Sequence, residues 1–447
     1  MAKYKQIKYE VEVMDFEKNL TVKTKQGVIE GDFCAGGKVR VFKGVPYAEP
    51  PVGKLRFVRP QPKKPWIGVR PCKSFAPQAM QTDKTKGELY PKEFYSVEMP
   101  PMSEDCLYLN IWTPTETSGE KLPVLMWIHG GAYMHGYGSE ITMDGEGFAS
   151  KGVILVTINY RVGALGFFAH DDLEKENNEG ISGNYGYMDQ IAALKWIHEN
   201  IEAFGGDAER VSIAGQSAGC MSVQTIISSE TTVGLVKSAI LQSGGGIPGF
   251  AGDYSKDEQK EMSLELMDIL GAKSIEELRE MSAENICYGG YAVNEKHEGL
   301  CWRPNVDGYL LRDTVSNLAV NGKIHDIAYM IGSTKDEMGG GTAELLAESA
   351  KKFALNQESL GKPPVYVYSF EHDLPGSDDG AFHSSELWYE FETLSRCWRP
   401  MGESDYKLSR ELSTHFANFV KNQNPSGDGV SEWRPYKEND NFVMRYI

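Results

Sequence analysis

No stretch of this chain is apolar for long enough to cross a membrane. The longest apolar runs, residues 122–128 and 153–158, have the length of strands, far short of the roughly 20 residues a spanning helix takes. A basic stripe is missing as well. Lys and Arg number 46 against 63 Asp and Glu, a formal net charge of −17, which argues against a nucleic-acid partner and says little more than that the surface is well solvated. The seven cysteines are scattered, with no C-x-x-C pair and no metal-ligand spacing. Neither a disulfide framework nor a zinc site is therefore expected, but free thiols in a reducing cytoplasm. Basic residues open the chain over Met1 to Lys8 without an apolar run behind them, so the pattern of a secretory signal is lacking and a cytoplasmic location is expected. There is no internal repeat and no low-complexity tract.

What is present is an ordinary globular composition, 41% hydrophobic and 24% charged over 447 residues, with ample material for a core. From residue 107 onward, apolar runs alternate with helical segments. Residues 107–112, 124–128, 153–158, 211–214, 239–242, 329–332 and 365–370 read as strands, several of them continuously apolar, as strands buried on both faces are. Ile191, Leu194, Ile197 and Ile201 mark one face of a helix, and Leu408, Leu412, Phe416 and Phe419 mark another. This alternation implies an α/β fold: a mostly parallel sheet with helices on both sides, whose reactive groups gather beyond the carboxyl ends of the strands. Ahead of it, short strands at 20–25, 27–32 and 39–42 suggest a small antiparallel hairpin system. The proline-rich stretch 42–65 must be ordered irregular chain. Residues 73–103 continue as a polar loop without tryptophan, either lining a cleft or simply solvated. Residues 253–300 form a helical excursion above the sheet, and the glycines at 339–341 open a second, short one. The expectation is one domain over 1–447 with a cap-like insertion at about 250–325.

The most informative stretch is Gly215, Gln216, Ser217, Ala218 and Gly219. G-x-S-x-G alone is weak, since roughly 0.1 to 0.2 matches arise by chance in a chain of this length. Here, however, an apolar strand precedes it and a small-residue helical stretch follows. That strand-turn-helix setting pushes a serine hydroxyl out at a sharp corner where side chains at the glycines would collide with the backbone.

A serine hydroxyl is a poor nucleophile until a base takes its proton, and the base must itself be oriented. Past the strand at 329–332, Asp336 and Glu337 both offer a carboxylate, and residue chemistry alone does not choose between them. Of the later histidines, His415 falls on an apolar helix face and reads as a core residue, whereas His372 and His383 both remain open as the base. Amide donors for a developing oxyanion are suggested by His129, Gly130, Gly131, Ala132 and Tyr133, directly after the strand at 124–128, with the Ala218 N–H beside the serine completing the set. Tyr133, Trp302, Trp388 and Phe391 are aromatics available to shape a pocket, although stripes of this kind more often pack in cores.

These residues resemble the type-B carboxylesterase family, α/β-hydrolases that include the cholinesterases, in the manner of a bacterial member. The resemblance runs from about Thr21 to Tyr436. It rests on the stretches at 42–57, 103–112 and 159–167, on Gly183-Asn184 and Asp189-Gln190, on Phe204 to Asp207, and on Gln242-Ser243-Gly244. It implies an α/β-hydrolase fold and Ser217 as nucleophile, Glu337 as the acid and His383 as the base. Gly131, Ala132 and Ala218 would be the oxyanion donors, and Ser243 a hydrogen-bond partner of the acid. It also implies a serine esterase acting on a small-molecule ester, with no metal or organic cofactor and no membrane or nucleic-acid partner. Five departures stand out. Met80 replaces the first cysteine of a disulfide that many relatives form to the position of Cys106. Gln216 stands where animal members carry a glutamate, and the 73–103 loop lacks the tryptophan that holds choline, so a quaternary-ammonium substrate is disfavoured. Met338 occupies a usual glycine position, and the helical segment between Glu337 and His383 is shorter than is typical. A feruloyl or hydroxycinnamoyl esterase is a narrower alternative and an acyltransferase another. A non-catalytic binding protein fits poorly with a chain that keeps every reactive position.

Overall fold

Residues 122–128 set the pattern from which the fold is built. In this strand Val124, Met126 and Ile128 pack into one hydrophobic cluster, while Leu125 and Trp127 pack into a second. The period of two sends alternate side chains to opposite faces of a sheet, and both faces are covered. The computed structural model describes residues 20–84, 88–115, 118–250, 252–297, 299–339, 341–427 and 429–447. Met1 to Lys8 and Gly340, named above, lie outside them.

Ten strands form the central sheet: β1 (Asp32–Cys34), β2 (Val39–Pro46), β3 (Tyr108–Thr113), β4 (Leu122–Ile128), β5 (Ile154–Ile158), β6 (Gly206–Gln216), β7 (Ser238–Gln242), β8 (Ala328–Thr334), β9 (Val365–Phe370) and β10 (Met444–Tyr446). Their spatial order is β10-β9-β8-β7-β6-β4-β5-β3-β2-β1. Pairing is parallel from β10 through β5 and antiparallel from there to β1. The mixed sheet matches the α/β-hydrolase reading, with the antiparallel strands gathered at one edge. A separate small sheet joins Thr21–Lys23 and Val28–Glu30, antiparallel, to Val69–Pro71, parallel.

Register decides what meets at the rim. Ile128 of β4 pairs with Gly215 of β6, Gln216 pairs with Gln242 of β7, and Gln242 pairs with Gly332 of β8. The chain therefore leaves four adjacent parallel strands at one level, just before His129, Ser217, Ser243 and the 335–337 segment. Ligands in open α/β sheets bind along this carboxyl edge.

Helices cover the faces. The main ones are α1 (Leu89–Phe94), α2 (Tyr185–Asn200), α3 (Ala218–Ser228), α4 (Ala283–Lys296), α5 (Thr342–Ser359) and α6 (Glu403–Asn422). Helix α2 extends the expected one toward its N-terminus, and α6 carries the 408–419 stripe. Three elements differ from the sequence reading. The strand expected at 39–42 in the hairpin system is β2 of the central sheet and runs to Pro46, into the stretch expected to be irregular, with a register shift between Phe42 and Val45, while Val69–Pro71 takes the third place in the small sheet. The 73–103 stretch contains α1, and the short excursion after 339 is the 18-residue helix α5, which buries Leu346, Ala350, Phe353 and Ala354 against the sheet. Within 250–325 lie the helices Lys256–Leu270, Ile275–Glu280 and α4, of which α4 lines the cavity described below. A buried bidentate pair fastens the rim. Arg161, just past β5, donates to Asp189 of α2 through Nε at 2.8 Å and an Nη at 2.7 Å. No helix of the described residues is long and apolar enough to cross a membrane.

Candidate active site

At the end of β6 the chain turns through Ser217 directly into α3. Ser217 has φ 58° and ψ −126°, a conformation that costs a residue with a Cβ about 1–3 kcal/mol and persists where the surroundings impose it. The Ser217 N–H donates to Gln242 O at 2.8 Å. The glycines are required by contact: a Cβ on Gly219 would lie 2.1 Å from Ile128 O, and one on Gly215 2.5 Å from the Gly219 carbonyl carbon. A side chain at either position would push the helix off the sheet and lose the corner.

The loop after β4 packs against this corner. A Cβ on Gly130 would meet Gln216 O at 2.8 Å and Ser217 Cβ at 3.1 Å. Gly131, Ala132 and Tyr133 follow with φ of 99°, 55° and 58°, and successive residues with positive φ turn their amides toward one side, as anion-binding nests do. Among the described residues the Gly131 and Ala132 amides have no carbonyl partner. The Ala218 amide opens α3 and is one of the orphan donors of a helix start. Tyr133 O accepts from the Gly163 N–H at 2.6 Å and His129 O from the Tyr160 hydroxyl at 2.9 Å, so the loop is held from behind.

Beyond β8 the two carboxylates part. Asp336 pairs with the chain that carries His383: its Oδ2 accepts from the Ala381 N–H at 2.9 Å, and its own N–H donates to Ala381 O at 3.0 Å. Glu337 turns inward and is buried, with Oε2 against His383 Nδ1 and Oε1 accepting from the Thr334 N–H at 3.1 Å. Burial pushes the Glu337 carboxyl up, but the His383 charge and hydrogen bond, with the Thr334 amide, outweigh it and hold it below its ordinary value. A carboxylate on Nδ1 fixes the tautomer with hydrogen there, which leaves Nε2 to act as a base.

His383 and Ser217 line one cavity of about 690 Å³, together with Gly130, Gly131 and Ala132. Among the described residues the Ser217 hydroxyl makes no hydrogen bond to the imidazole. Instead, Gln216 Nε2 lies 3.2 Å from His383 Nε2 and 3.5 Å from Nδ1. A donor in line with one ring nitrogen would be out of reach of the other, so the carboxamide rests against the ring and leaves the in-plane lone pair of Nε2 uncommitted. Ser243, expected to bond the acid, lies close enough to help keep Glu337 charged, yet its buried Oγ has no hydrogen-bond partner. The other histidines are tied elsewhere. His372 Nε2 is 2.8 Å from Asp405 Oδ1, and His415 lies 2.9 Å from both the Tyr446 hydroxyl and Ser431 O, a satisfied core histidine.

The four aromatics expected to shape the pocket do not line the cavity. Tyr133 is buried with its hydroxyl 2.6 Å from that of Tyr187, Trp302 donates to Gly290 O at 2.8 Å, and Trp388 donates to Glu93 Oε1 at 2.9 Å. Phe391 packs edge-on against Trp127 with centroids 4.9 Å apart. Each finds its partner inside the core, which sequence spacing does not reveal. The walls come instead from Lys84, Tyr90, Phe94 and Tyr95 of the 73–103 stretch, from Tyr288 and Tyr291 of α4, and from His135 and Met338. Met338 is the departure at a usual glycine position named above; the sequence reading missed the others, for which the cleft-lining alternative for the 73–103 loop was the only signal. Tyr90 reaches the triad region directly, its hydroxyl donating to His383 O at 3.0 Å.

Behind His383 lie two buried acids that sequence reasoning did not single out. Among the described residues both oxygens of Glu386 lack partners, and burial, with the nearby Glu337 charge, pushes its carboxyl far up. Burial pushes Glu390 up to about 8, against a hydrogen bond from Gln242. Among the described residues there is no group of three or more His, Cys, Asp or Glu side chains placed to hold a metal ion.

The profile of the Carboxylesterase family matches residues 18–360 and 344–446 of this chain. Fumonisin B1 esterase of Sphingopyxis macrogoltabida is 31% identical over 95% of this chain and 85% of its own length. Para-nitrobenzyl esterase of Bacillus subtilis is 31% identical over 93% and 92%. Among solved structures, a thermophilic pNB esterase superposes with a TM-score of 0.83 at 28% identity, covering 96% of both chains.

Proposed function

Because the chain belongs to the carboxylesterase family and is a serine-type carboxylic ester hydrolase, we propose that Ser217, His383 and Glu337 are its nucleophile, base and acid. The Gly131, Ala132 and Ala218 amides form its oxyanion hole. The observation that carries this assignment is Glu337 seated on His383 Nδ1, in the cavity into which Ser217 projects.

The chemistry follows from the placement. Ser217 Oγ attacks the ester carbonyl carbon while His383 Nε2 takes its proton, and the carbonyl π pair moves onto oxygen. The three amides hold that oxyanion; losing one such donor typically costs 100- to 1,000-fold. As the intermediate collapses, the C–O bond to the alcohol breaks and the leaving oxygen takes the proton from His383. Water then attacks the acyl-serine with His383 again as base, releasing the acid and restoring the hydroxyl. Glu337 remains ionised throughout, orienting the imidazole and stabilising its cation. Asp336 holds the histidine loop and takes no part in proton transfer. Gln216 steadies the ring, and Ser243 helps hold Glu337 ionised.

Turnover of para-nitrophenyl and para-nitrobenzyl esters of graded acyl length, by wild type and Ser217→Ala, tests the assignment. Wild-type hydrolysis that persists in the variant would overturn it. A narrower reading, a feruloyl-type esterase, is favoured by the aromatic walls of Tyr90, Phe94, Tyr95, Tyr288 and Tyr291. It predicts that methyl ferulate is turned over, and failure to hydrolyse it removes the reading. We take 1–447 as one functional domain whose 250–325 insertion caps the cavity, and the cytoplasm as its compartment, supported by seven cysteines that are all free thiols.

A further inference from the structure

One wall of the active-site cavity carries a cation without a counter-charge in contact. Among the described residues lining it, Lys84 is the only Lys or Arg, and it sits in the same loop that lacks a tryptophan. Lys84 Nζ donates to the Tyr95 hydroxyl at 2.8 Å and lies 4.5 Å from the Tyr95 ring centre. No described carboxylate comes within the 4.0 Å of an ion pair; Glu140 acts on it only through space. Toward the described residues the ammonium thus uses one of its three N–H donors. Burial lowers Lys84 to about 8 against the attraction of Glu140, which still leaves it charged at neutral pH.

Two further donors flank it. Tyr95 accepts from Lys84, so its own O–H hydrogen is uncommitted, and burial keeps the phenol protonated by pushing its pKa far up. His135 lines the same cavity with a buried Nδ1 that has no partner. Burial, reinforced by the Lys84 charge, lowers this imidazole to about 3, so it is neutral and can present one N–H. A buried ammonium without a contacting anion is costly, and a bound anion relieves that cost. Asp83 and Glu140 line the same cavity and repel a dianion such as phosphate more strongly than a monoanion, so the single point charge of Lys84, beside a phenol and a neutral imidazole, suits a singly charged carboxylate.

We propose that Lys84, with Tyr95 and His135, forms a carboxylate-binding subsite, and that the preferred substrates are esters bearing a free carboxylate on one arm. This rests on the active-site assignment above and deepens it by naming a substrate class. It makes Lys84 a specificity-determining residue.

Two matched pairs of esters test it. For the acyl arm, 4-nitrophenyl hydrogen glutarate is compared with 4-nitrophenyl valerate; for the alcohol arm, 4-acetoxybenzoate is compared with 4-acetoxybenzamide. In at least one pair the ratio of kcat/KM, anionic over neutral, should fall about tenfold or more in Lys84→Met, mainly through KM, and recover in part in Lys84→Arg. The wild-type ratio should also fall between about 0.05 and about 0.5 M salt as the charge is screened. Ratios unchanged by Lys84→Met in both pairs would overturn the proposal, and the pair that responds tells which arm carries the carboxylate. Equilibrium dialysis of monomethyl glutarate and of 4-hydroxybenzoate on Ser217→Ala protein, with and without Lys84→Met, reads the same preference without turnover. Neutral-ester hydrolysis that survives Ser217→Ala would instead sink the active-site assignment, and the two failures are thereby separable.

Discussion

Glu390 is the sharpest test of the buried acids behind the histidine. Its Oε2 accepts from Gln242 Nε2 at 2.8 Å, its Oε1 is buried without a partner, and burial raises its carboxyl from 4.5 to about 8. Below about pH 4.5 the folded and unfolded chains both hold this proton, so folding is not penalised. Above that value the unfolded chain releases the proton while the folded chain keeps it, so stability falls as pH rises, until the folded carboxyl itself titrates near 8. One pKa unit corresponds to about 1.36 kcal/mol, so between pH 5.5 and 7.5 the Glu390 proton should cost the fold roughly 3 kcal/mol. Glu390→Gln keeps the shape of the protonated acid and cannot ionise. Urea unfolding of wild type and variant at those two pH values isolates the effect, because Glu386 and Glu140, also raised by burial, contribute to both proteins. The stability of the variant relative to wild type should rise by roughly 3 kcal/mol from pH 5.5 to pH 7.5. Parallel stability curves for the two proteins would refute a neutral buried Glu390.

Gly219→Ala places a Cβ against Ile128 O and His129 O, at 2.1 Å and 2.8 Å before relaxation. It should destabilise by about 1–3 kcal/mol and lower kcat by more than 100-fold as the corner and the amide loop shift together, read by urea unfolding and steady-state kinetics on a neutral ester. Glu337→Gln should lower kcat by about 1,000- to 10,000-fold, because the tautomer and the imidazolium lose their support. Asp336→Asn keeps an acceptor for the Ala381 N–H and should stay within about tenfold of wild type. Equal losses in those two variants would undo the division of roles between the neighbouring acids.

The α/β architecture was legible because its strands are buried on both faces. A run such as 122–128 has few alternatives to a central position, and the glycines around Ser217 belong to a recognisable strand-turn-helix unit, although the atoms that exclude a side chain there include Ile128 O and His129 O at the end of the neighbouring β4. The choice between Asp336 and Glu337 was not legible from chemistry alone. It depends on which carboxylate turns inward after β8, and that is fixed by the pairing of Asp336 with Ala381, 45 positions later. Helix α5 carries apolar residues at helical spacing, but the glycines ahead of it and the gap before β9 made it read as a short excursion. The cavity walls were hidden for a different reason. Trp388 can bury its indole only because Glu93 of α1 supplies an acceptor, and Lys84 shares a cavity with Ser217 and His383 only because the 73–103 stretch supplies one of its walls. Both contacts join segments far apart in sequence, and no local pattern announces them.

The central claim is that one strained serine, activated across the cavity by the His383 and Glu337 pair, forms the acyl-enzyme. Its most direct test is covalent capture. A fluorophosphonate probe added to wild type should place a single adduct on the peptide containing Ser217, located by mass spectrometry, with loss of hydrolysis in proportion to labelling and no adduct in Ser217→Ala. Full labelling at another residue, or hydrolysis undiminished after Ser217 is fully modified, would contradict it.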